Sequence, residues 1–176
     1  MRSAAVLLGM VLCSTLLVAD DRHVDFDAKA DFSSFKTFAI RESRINSHKP
    51  ELNNRLFIQK LADTIRAELT AKGLKETVDR PDLIVDFSVD GMDYSIVERQ
   101  AAGQRGQVVE GTGPYSVLSS EGTLVIDITA NPAGVAGALL WRGTYRDEES
   151  GGPKLAQKLP GDAKKLLSEY PPKKKK

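Results

Sequence analysis

With 25 basic and 24 acidic side chains in 176 residues, the chain carries a formal net charge of only +1, and its body is slightly acidic once the terminal run Lys173–Lys176 is set aside. No nucleic acid is therefore expected as its partner, because binding to phosphates requires a concentrated basic face. The length suits a single domain with a real hydrophobic core.

The first residues have the pattern of an export signal. Arg2 precedes an uncharged run from Ala4 to Ala19. This run is shorter than the roughly 20 residues that a membrane-spanning helix needs. The small residue Ala19 offers signal peptidase a cleavage point. We therefore predict a signal peptide at residues 1–19 that is cleaved after Ala19, with an uncleaved membrane anchor as the alternative.

Cys13 is the only cysteine, so an intramolecular disulfide is excluded. A lipoprotein signal would place a small residue before the lipidated cysteine, but Leu12 stands there, and Cys13 lies inside the apolar run. We interpret Cys13 as a hydrophobic residue of the signal peptide. Anchoring by lipid remains an open alternative.

Alternation of apolar and polar residues predicts five strands. They cover residues 23–27, 36–40, 83–90, 124–129 and 139–145. The polar stretch 41–50 is expected to be a loop. The glycine-rich stretch 91–122 is predicted to be irregular, with a mobile centre at 100–113. Its flanks, around 94–97 and 115–118, can extend two strands into a long hairpin.

Two helices are predicted. The first covers residues 53–72, with an N-cap at Asn53, a C-terminal Gly73 and one apolar stripe. The stripe consists of Ile58, Leu61, Ile65 and Leu69. The second carries four leucines between residues 155 and 167, is expected to be broken or weak at Pro160-Gly161, and is stopped by Pro171-Pro172.

Together these elements predict an α+β fold in the order β-β-α-β-β-β-α. Short connections favour antiparallel pairing. We therefore expect a single, mostly antiparallel sheet of about five strands with two helices on one face. The domain is predicted to cover residues 20–170, followed by a Pro/Lys-rich tail at 171–176.

Three acids near the start of the domain, Asp25, Asp27 and Asp31, invite comparison with a calcium loop, since Ca²⁺ binds several carboxylate oxygens. The spacing does not fit, because Lys29 and Lys36 stand where ligands belong. We predict outward strand residues and turn caps instead.

Asp86 and Asp90 share one face of a predicted strand, about 13 Å apart. That distance is wide for two carboxylates acting on one bond. Asp127, on another strand, could approach either of them. We predict a solvated sheet face, since one polar face is typical of an open antiparallel sheet.

His23 and His48 are the only histidines, and neither has metal ligands at recognisable spacing. No serine lies in a G-x-S-x-G motif, and Ser119-Ser120 precede a glycine, which favours a loop. The stretch Gly111-Thr112-Gly113 lacks the rest of a dinucleotide or phosphate-loop motif.

Trp141-Arg142 could contact a partner, but the alternation places Trp141 with Leu139 on one core face. The run Lys173–Lys176 could touch anionic lipid or polymer. A solubilising tail is the simpler interpretation of four terminal lysines.

Four sequence segments, taken together, resemble the domain-of-unknown-function family numbered 4136. They are VDFDAKADFSSFKTFAI, LADTIRAELTAKGLKETVDRPDLIVDFSV, GTLVIDITA with LLWRGTY, and AKKLLSEYPPK, in the family's order. The resemblance implies a secreted or outer-membrane-associated protein of Gram-negative bacteria, often a lipoprotein, with a compact α+β domain. It brings no activity, cofactor or catalytic residue.

The sequence thus favours a non-enzymatic exported protein of the periplasm or outer membrane that binds a protein, lipid or cell-wall partner. The alternative is a hydrolase with an unrecognised site that uses Asp86, Asp127 or a histidine. We assign no catalytic, cofactor-binding or metal-ligating residue. The identity of the partner and the oligomeric state stay open.

Overall fold

A computed structural model describes residues 21–41, 43–98, 115–132, 137–149 and 151–173. The predicted signal peptide, the loop centre at 100–113, the Gly111-Thr112-Gly113 stretch and Lys174–Lys176 lie outside these residues. The strands are β1 (Arg22–Phe26), β2 (Thr37–Ile40), β3 (Arg44–Ser47), β4 (Lys75–Glu76), β5 (Leu83–Glu98), β6 (Tyr115–Ala130) and β7 (Leu139–Glu149), and the helices are α1 (Arg55–Ala71) and α2 (Gly152–Leu167). Neither described helix combines the length and the apolar sequence that crossing a membrane requires.

The seven strands form one mixed sheet in the order β1-β7-β6-β5-β2-β4, and β3 also pairs with β5. The β1/β7, β7/β6 and β6/β5 pairs are antiparallel, whereas β2 and β3 run parallel to β5, and β4 runs parallel to β2. The α+β class is confirmed, but the expected sheet of about five mostly antiparallel strands is too small and lacks the parallel pairs. The parallel pairs arise because α1 crosses over between β2 and β5, which is the connection that parallel neighbours need.

The polar stretch expected to be a loop contains β3, which is a correction. Only one residue of β3, Ile45, is apolar, and it lies opposite Val89 of β5. The strand forms because β5 continues past the end of β2 and offers further backbone groups for pairing.

Helix α1 begins one residue later than expected at its N-cap. The cap is Asn54, not Asn53, and its side-chain oxygen accepts a hydrogen bond from the Phe57 N–H at 2.9 Å. At the other end Gly73 has φ +89°, and the N–H groups of Gly73 and Leu74 donate to Thr70 and Leu69. This is a Schellman ending, so the glycine predicted to follow the helix has the conformation that the ending requires.

Helix α2 is continuous through Pro160, contrary to the expected break at Pro160-Gly161. It ends at Leu167, before the prolines that were expected to stop it. Pro160 lacks the N–H that would complete the helix ladder. The helix is held instead by its buried face, on which Leu155, Leu159 and Leu166 have no solvent exposure.

The core lies between the sheet and the two helices, and Trp141 is its largest fully buried side chain. The prediction that Trp141 belongs to the core is confirmed, but Leu139 does not share its face and is 44% exposed. Ile128 lies opposite Trp141 while Thr129 lies opposite Leu139, so Leu140 is an extra residue in β7. This bulge shifts the alternation by one position.

Gly143 makes room for the Trp141 ring. A Cβ added at Gly143 would collide with the ring atoms Cη2 and Cζ3, and would stand 3.2 Å from Leu166 Cδ2. The ring also packs edge-to-face on Tyr170, with 5.9 Å between the ring centroids. Tyr170 in turn packs edge-to-face on Phe32, at 5.7 Å.

Asp82 joins the start of β5 to the start of β2. One carboxylate oxygen accepts hydrogen bonds from the N–H groups of Lys36 (2.8 Å) and Thr37 (2.9 Å). The Asp82 N–H donates to the Thr37 hydroxyl at 2.9 Å. The hydrogen bond from the Lys36 N–H is the main cause that lowers the pKa of Asp82. This carboxylate fixes the register of the parallel β2/β5 pair.

We expect Asp82→Ala to lower the free energy of unfolding by about 1–2 kcal/mol, because two backbone donors lose a charged acceptor at a partly exposed site. The pKa of Asp82 is lower in the folded protein, so its contribution is full above the unfolded carboxyl pKa of about 4 and is lost as the pH falls through the folded value. Urea unfolding at pH 7 and pH 3 measures both effects. The exposed Asp79 provides the control, and an equal loss in Asp79→Ala would contradict the role of Asp82.

A pair of glycine variants tests the packing around Trp141. Gly143→Ala should lower the free energy of unfolding by about 1–3 kcal/mol, because the fully buried ring cannot move aside. Gly161→Ala meets nothing within 4 Å and lies inside α2, so it should raise stability by about 0.5–1 kcal/mol. Thermal unfolding of both variants decides this. A neutral Gly143→Ala would show that the ring can adjust.

Candidate functional site

One face of the sheet is packed under the helices, and the opposite face is open. Along β5, Leu83, Val85 and Val89 are fully buried, whereas Asp86 is half-buried and Asp90 is exposed. The alternation predicted in the sequence is therefore confirmed, and both acids lie on the open face. This open face is the candidate site, because it presents polar groups on a rigid sheet.

A row of charged side chains crosses the open face from β2 to β1. Arg41 donates to both oxygens of Asp86, at 3.1 and 2.7 Å. Asp86 lies directly opposite Asp127 on β6. Asp127 accepts two hydrogen bonds from Arg142, both at 2.7 Å, and Arg142 lies opposite Asp25 on β1. From Arg41, which follows β2, to Asp25 on β1, the charges are therefore positive, negative, negative, positive and negative.

The two central acids are each held by a guanidinium group. Arg142 engages Asp127 through a bidentate pair, and these hydrogen bonds raise the pKa of Arg142. Each of these carboxylates has both oxygens occupied by guanidinium donors, so neither presents a free oxygen to a reacting bond. Asp86 and Asp127 do come together, as the sequence allowed, but as members of ion pairs. Asp90 lies four residues further along β5.

A shallow groove of about 740 Å³ runs along this row. Its lining consists of Arg41, Ser43, Arg44, Asp86, Phe87, Ser88, Val125 and Asp127. Arg44 is exposed at its rim. With both signs of charge present, the groove is better suited to a polar partner of mixed charge than to a polyanion.

The acids near the start of the domain form turn caps, as the sequence suggested. Asp27 accepts a hydrogen bond from the Lys29 N–H at 2.8 Å, and Asp31 accepts from the Ser33 N–H and hydroxyl. Asp25 instead faces outward on β1 beside His23, at 3.0 Å. Within the described ranges, no group of three or more His, Cys, Asp or Glu side chains could hold a metal ion.

The two histidines do not meet. His23 is on β1, and its ring is exposed beside Asp25. His48 is exposed in the connection that follows β3. Among the described residues, neither histidine ring forms a hydrogen bond with a serine.

The sequence analysis missed a polar cluster that joins a buried serine and a buried lysine to an exposed aspartate. Ser120 was expected in a loop, but it lies in β6 with no solvent exposure. The Lys49 ammonium donates to the Ser120 hydroxyl at 2.8 Å and to the Asp93 carboxylate, and the Ser120 hydroxyl donates to Asp93 at 2.7 Å. The hydrogen bond from Lys49 is the main cause that lowers the pKa of Asp93.

This cluster has the residue types of a serine–lysine nucleophile, but the Ser120 hydroxyl donates to Asp93 and not to Lys49. A lysine that activates a serine must be neutral and must accept the hydroxyl proton. Lys49 donates to both partners and forms an ion pair with Asp93. The cluster therefore ties the connection before α1 to the β5–β6 hairpin. No sequence signal could have found it, because 71 residues separate Lys49 from Ser120.

Asp162 is another acid with a shifted pKa. It is 2% exposed in α2, and burial raises its pKa despite the Lys165 ammonium at 3.1 Å. A buried acid with a raised pKa is a common feature of catalytic sites. Asp162, however, lies on the helix side of the sheet, away from the open-face groove.

Solved structures with the same architecture have low sequence identity to this chain. A PDZ domain protein from Parabacteroides distasonis is 17% identical with a TM-score of 0.59, over 89% of this chain and 36% of that one. This chain thus spans about a third of that protein, and the likeness shows the fold alone. No curated protein matches the sequence.

Two further structures align over most of both chains. A DUF4136 family protein from Bacteroides thetaiotaomicron is 15% identical, with a TM-score of 0.47, over 84% of this chain and 91% of that one. A putative neuraminyllactose-binding hemagglutinin homolog from Helicobacter pylori is 12% identical, with a TM-score of 0.49, over 80% and 86%.

The family model described as "Domain of unknown function (DUF4136)" matches residues 22–172, from the first residue of β1 to beyond the end of α2. The resemblance noted in the sequence is thereby confirmed, and the chain belongs to the DUF4136 family.

Proposed function

We propose that this chain is an exported, non-enzymatic protein of the bacterial cell envelope that binds a partner through the projecting end of its β5–β6 hairpin. The observation that carries the proposal is the length of this hairpin. The two strands pair from Leu83–Ala130 to Glu98–Tyr115. The neighbouring strands stop earlier. The pairing of β3 with β5 ends at Gly91 of β5, and the pairing of β7 with β6 ends at Ser120 of β6.

Residues 94–98 and 115–119, which we name the hairpin arm, thus pair only with each other among the described residues. A two-stranded hairpin is marginally stable in water, and both of its edges offer unpaired backbone groups. Six of its ten residues are aliphatic or aromatic. Such an element gains stability when a partner adds a strand or covers its apolar residues.

The absence of enzymatic activity is proposed on the chemistry of the described acids and nucleophiles. A hydrolase needs a carboxylate or histidine that can exchange a proton at the reacting bond. Asp86 and Asp127 are each paired with an arginine, and the buried Ser120 hydroxyl donates to Asp93. Export and envelope location are proposed on the signal-like residues 1–19 and on what the family resemblance implies.

A photo-crosslinker tests where the partner binds. Placed at Ser116 in the hairpin arm and irradiated in a Gram-negative host, it should give a discrete adduct that mass spectrometry identifies as protein, lipid or cell-wall material. The matched control is Lys60 on the outer side of α1, which is exposed and should give only background. A third probe at Arg44 reports on the open-face groove. Adducts at Arg44 and none at Ser116 would place the contact on the groove and contradict the proposal.

Removal of the hairpin arm tests whether its role is binding or folding. Because Asp93 and Ser120 are paired, residues 94–119 can be replaced by Asn-Gly, a two-residue hairpin turn. This keeps the Lys49–Asp93–Ser120 cluster intact. We expect the free energy of unfolding to change by less than about 1 kcal/mol, with loss of the envelope adducts from a second probe at the exposed Met92.

The matched variant lacks only residues 100–113 and keeps the hairpin arm. It should retain the adducts at Met92. If both deletions abolish them, the loop and not the arm carries the contact.

A further inference from the structure

We propose that the outer edge of β1 pairs with the same edge of a second copy of the chain, antiparallel and centred on Val24, to form a reversible dimer with one continuous sheet. This surface is separate from the hairpin arm and does not depend on the proposed function. Three features of β1 support it: its unpaired backbone groups, the self-complementary order of its charges, and an exposed aromatic side chain at the edge.

The hydrogen bonds of β1 show which of its backbone groups face outward. Among the described residues, strand β1 lies at one end of the sheet and pairs with β7 alone. The Arg146 N–H donates to the Asp21 carbonyl, and the Asp27 N–H donates to the Leu140 carbonyl. In an antiparallel ladder, every second residue hydrogen-bonds to a given neighbouring strand. The backbone groups of positions 21, 23, 25 and 27 therefore point towards β7. The N–H and C=O groups of positions 22, 24 and 26 point away from the sheet.

Within the described ranges, no backbone group of this chain pairs with the outward positions of β1. The other side of the sheet ends in shorter strands, because β4 has only two residues and β3, which pairs with β5, has four. Very short edge strands discourage pairing with other chains. Strand β1 has five residues and no proline, and it therefore keeps an edge that can accept a partner strand.

The charges on β1 select one register. When two copies pair around Val24, His23 of each copy lies opposite Asp25 of the other. Both side chains are open to solvent, at 72% and 70% exposure. The smallest shift of register that still places outward-pointing backbone groups opposite each other is two residues. Such a shift sets Asp25 against Asp25 of the second copy, or His23 against His23 of the second copy, and it also loses hydrogen bonds. A neutral His23 ring can hydrogen-bond the opposite Asp25 carboxylate, and a protonated ring forms an ion pair with it, whereas two Asp25 carboxylates opposite each other are destabilising.

The other face of the pair brings Phe26 of one copy against Arg22 of the other. The Phe26 side chain is 40% exposed and lies outside the core cluster. Arg22 forms a partly exposed ion pair with Glu169 at 3.1 Å. Pairing would cover the Phe26 ring with the aliphatic and cationic parts of Arg22.

The size of the edge sets the strength of the dimer. Five residues span about 17 Å of strand. An interface built on such a ribbon is smaller than the roughly 1,600 Å² of a standard stable complex. The dimer therefore forms reversibly and in proportion to concentration.

Two cysteine variants test the register directly. His23→Cys and Asp25→Cys are made in separate chains, each in a Cys13→Ser background, and the purified proteins are mixed under mild oxidation. In the proposed register these positions form a non-hydrogen-bonded pair, at a Cα separation of about 4.5 Å, which allows a disulfide. Either variant alone places its two cysteines too far apart. The mixture should give several-fold more disulfide-linked dimer than either variant by itself.

His23→Cys mixed with Val78→Cys provides the collision background, because Val78 is 98% exposed and far from β1 in the sheet order. A mixture of His23→Cys and Asp25→Cys that gives no more dimer than this background overturns the proposal. It would leave the β1 edge for a strand of a different protein.

Val24→Pro provides a readout without cysteines. Residue 24 donates outward, so proline there removes hydrogen bonds of the dimer and none of the β1/β7 ladder. Sedimentation equilibrium should show a concentration-dependent dimer in the unchanged protein and a dissociation constant about tenfold higher in the variant, because two hydrogen bonds are lost. Circular dichroism confirms that the variant is folded. Equal association of both proteins overturns the proposal, as does an unchanged protein that stays monomeric at every concentration.

Discussion

The burial of Trp141 is the constraint on which the rest of the structure depends. There is space for its ring only because Gly143 has no side chain. The ring packs edge-to-face on Tyr170, which packs in the same way on Phe32. The centre of β7, the connection after β1 and the segment after α2 are thereby joined around one side chain. Burial also raises the pKa of Tyr170 to about 12. The L-W-R-G and S-E-Y-P-P segments that carry the family resemblance thus meet in space.

The local sequence pattern predicted the elements that are determined mainly by residues close together in the chain. The apolar stripe of α1, its glycine ending and the alternation of β5 all follow from side chains that are near in sequence. The misses have a different origin. Strand β3 exists because β5 offers it backbone partners, α2 survives Pro160 because its leucines are buried, and the bulge at Leu140 appears only when β7 is set against β6. Each depends on a neighbour that one stretch of sequence does not reveal.

The candidate site was predictable to the same degree. Alternation indicated that Asp86 and Asp127 face outward, but their direct opposition and their pairing with Arg41 and Arg142 are facts of register. The cluster of Lys49, Asp93 and Ser120 also depends on register. Its members are far apart in the chain, so the sequence did not predict their contact. The tie made by Asp82 is of this kind as well. It links the F-K-T-F and P-D-L segments of the family pattern through one carboxylate, so these two motifs mark a structural contact.

The pairing of β1 with β7 has a consequence for how the chain folds. The partner of the first strand within the described ranges is residues 141–145, and its Arg22 contacts Glu169 after the last helix. Contacts between the two ends of a chain make folding slow and leave the early segments open while synthesis proceeds. The β1/β7 pair is therefore expected to close late, after the α1 helix and the β5–β6 hairpin, whose contacts are closer together in the chain.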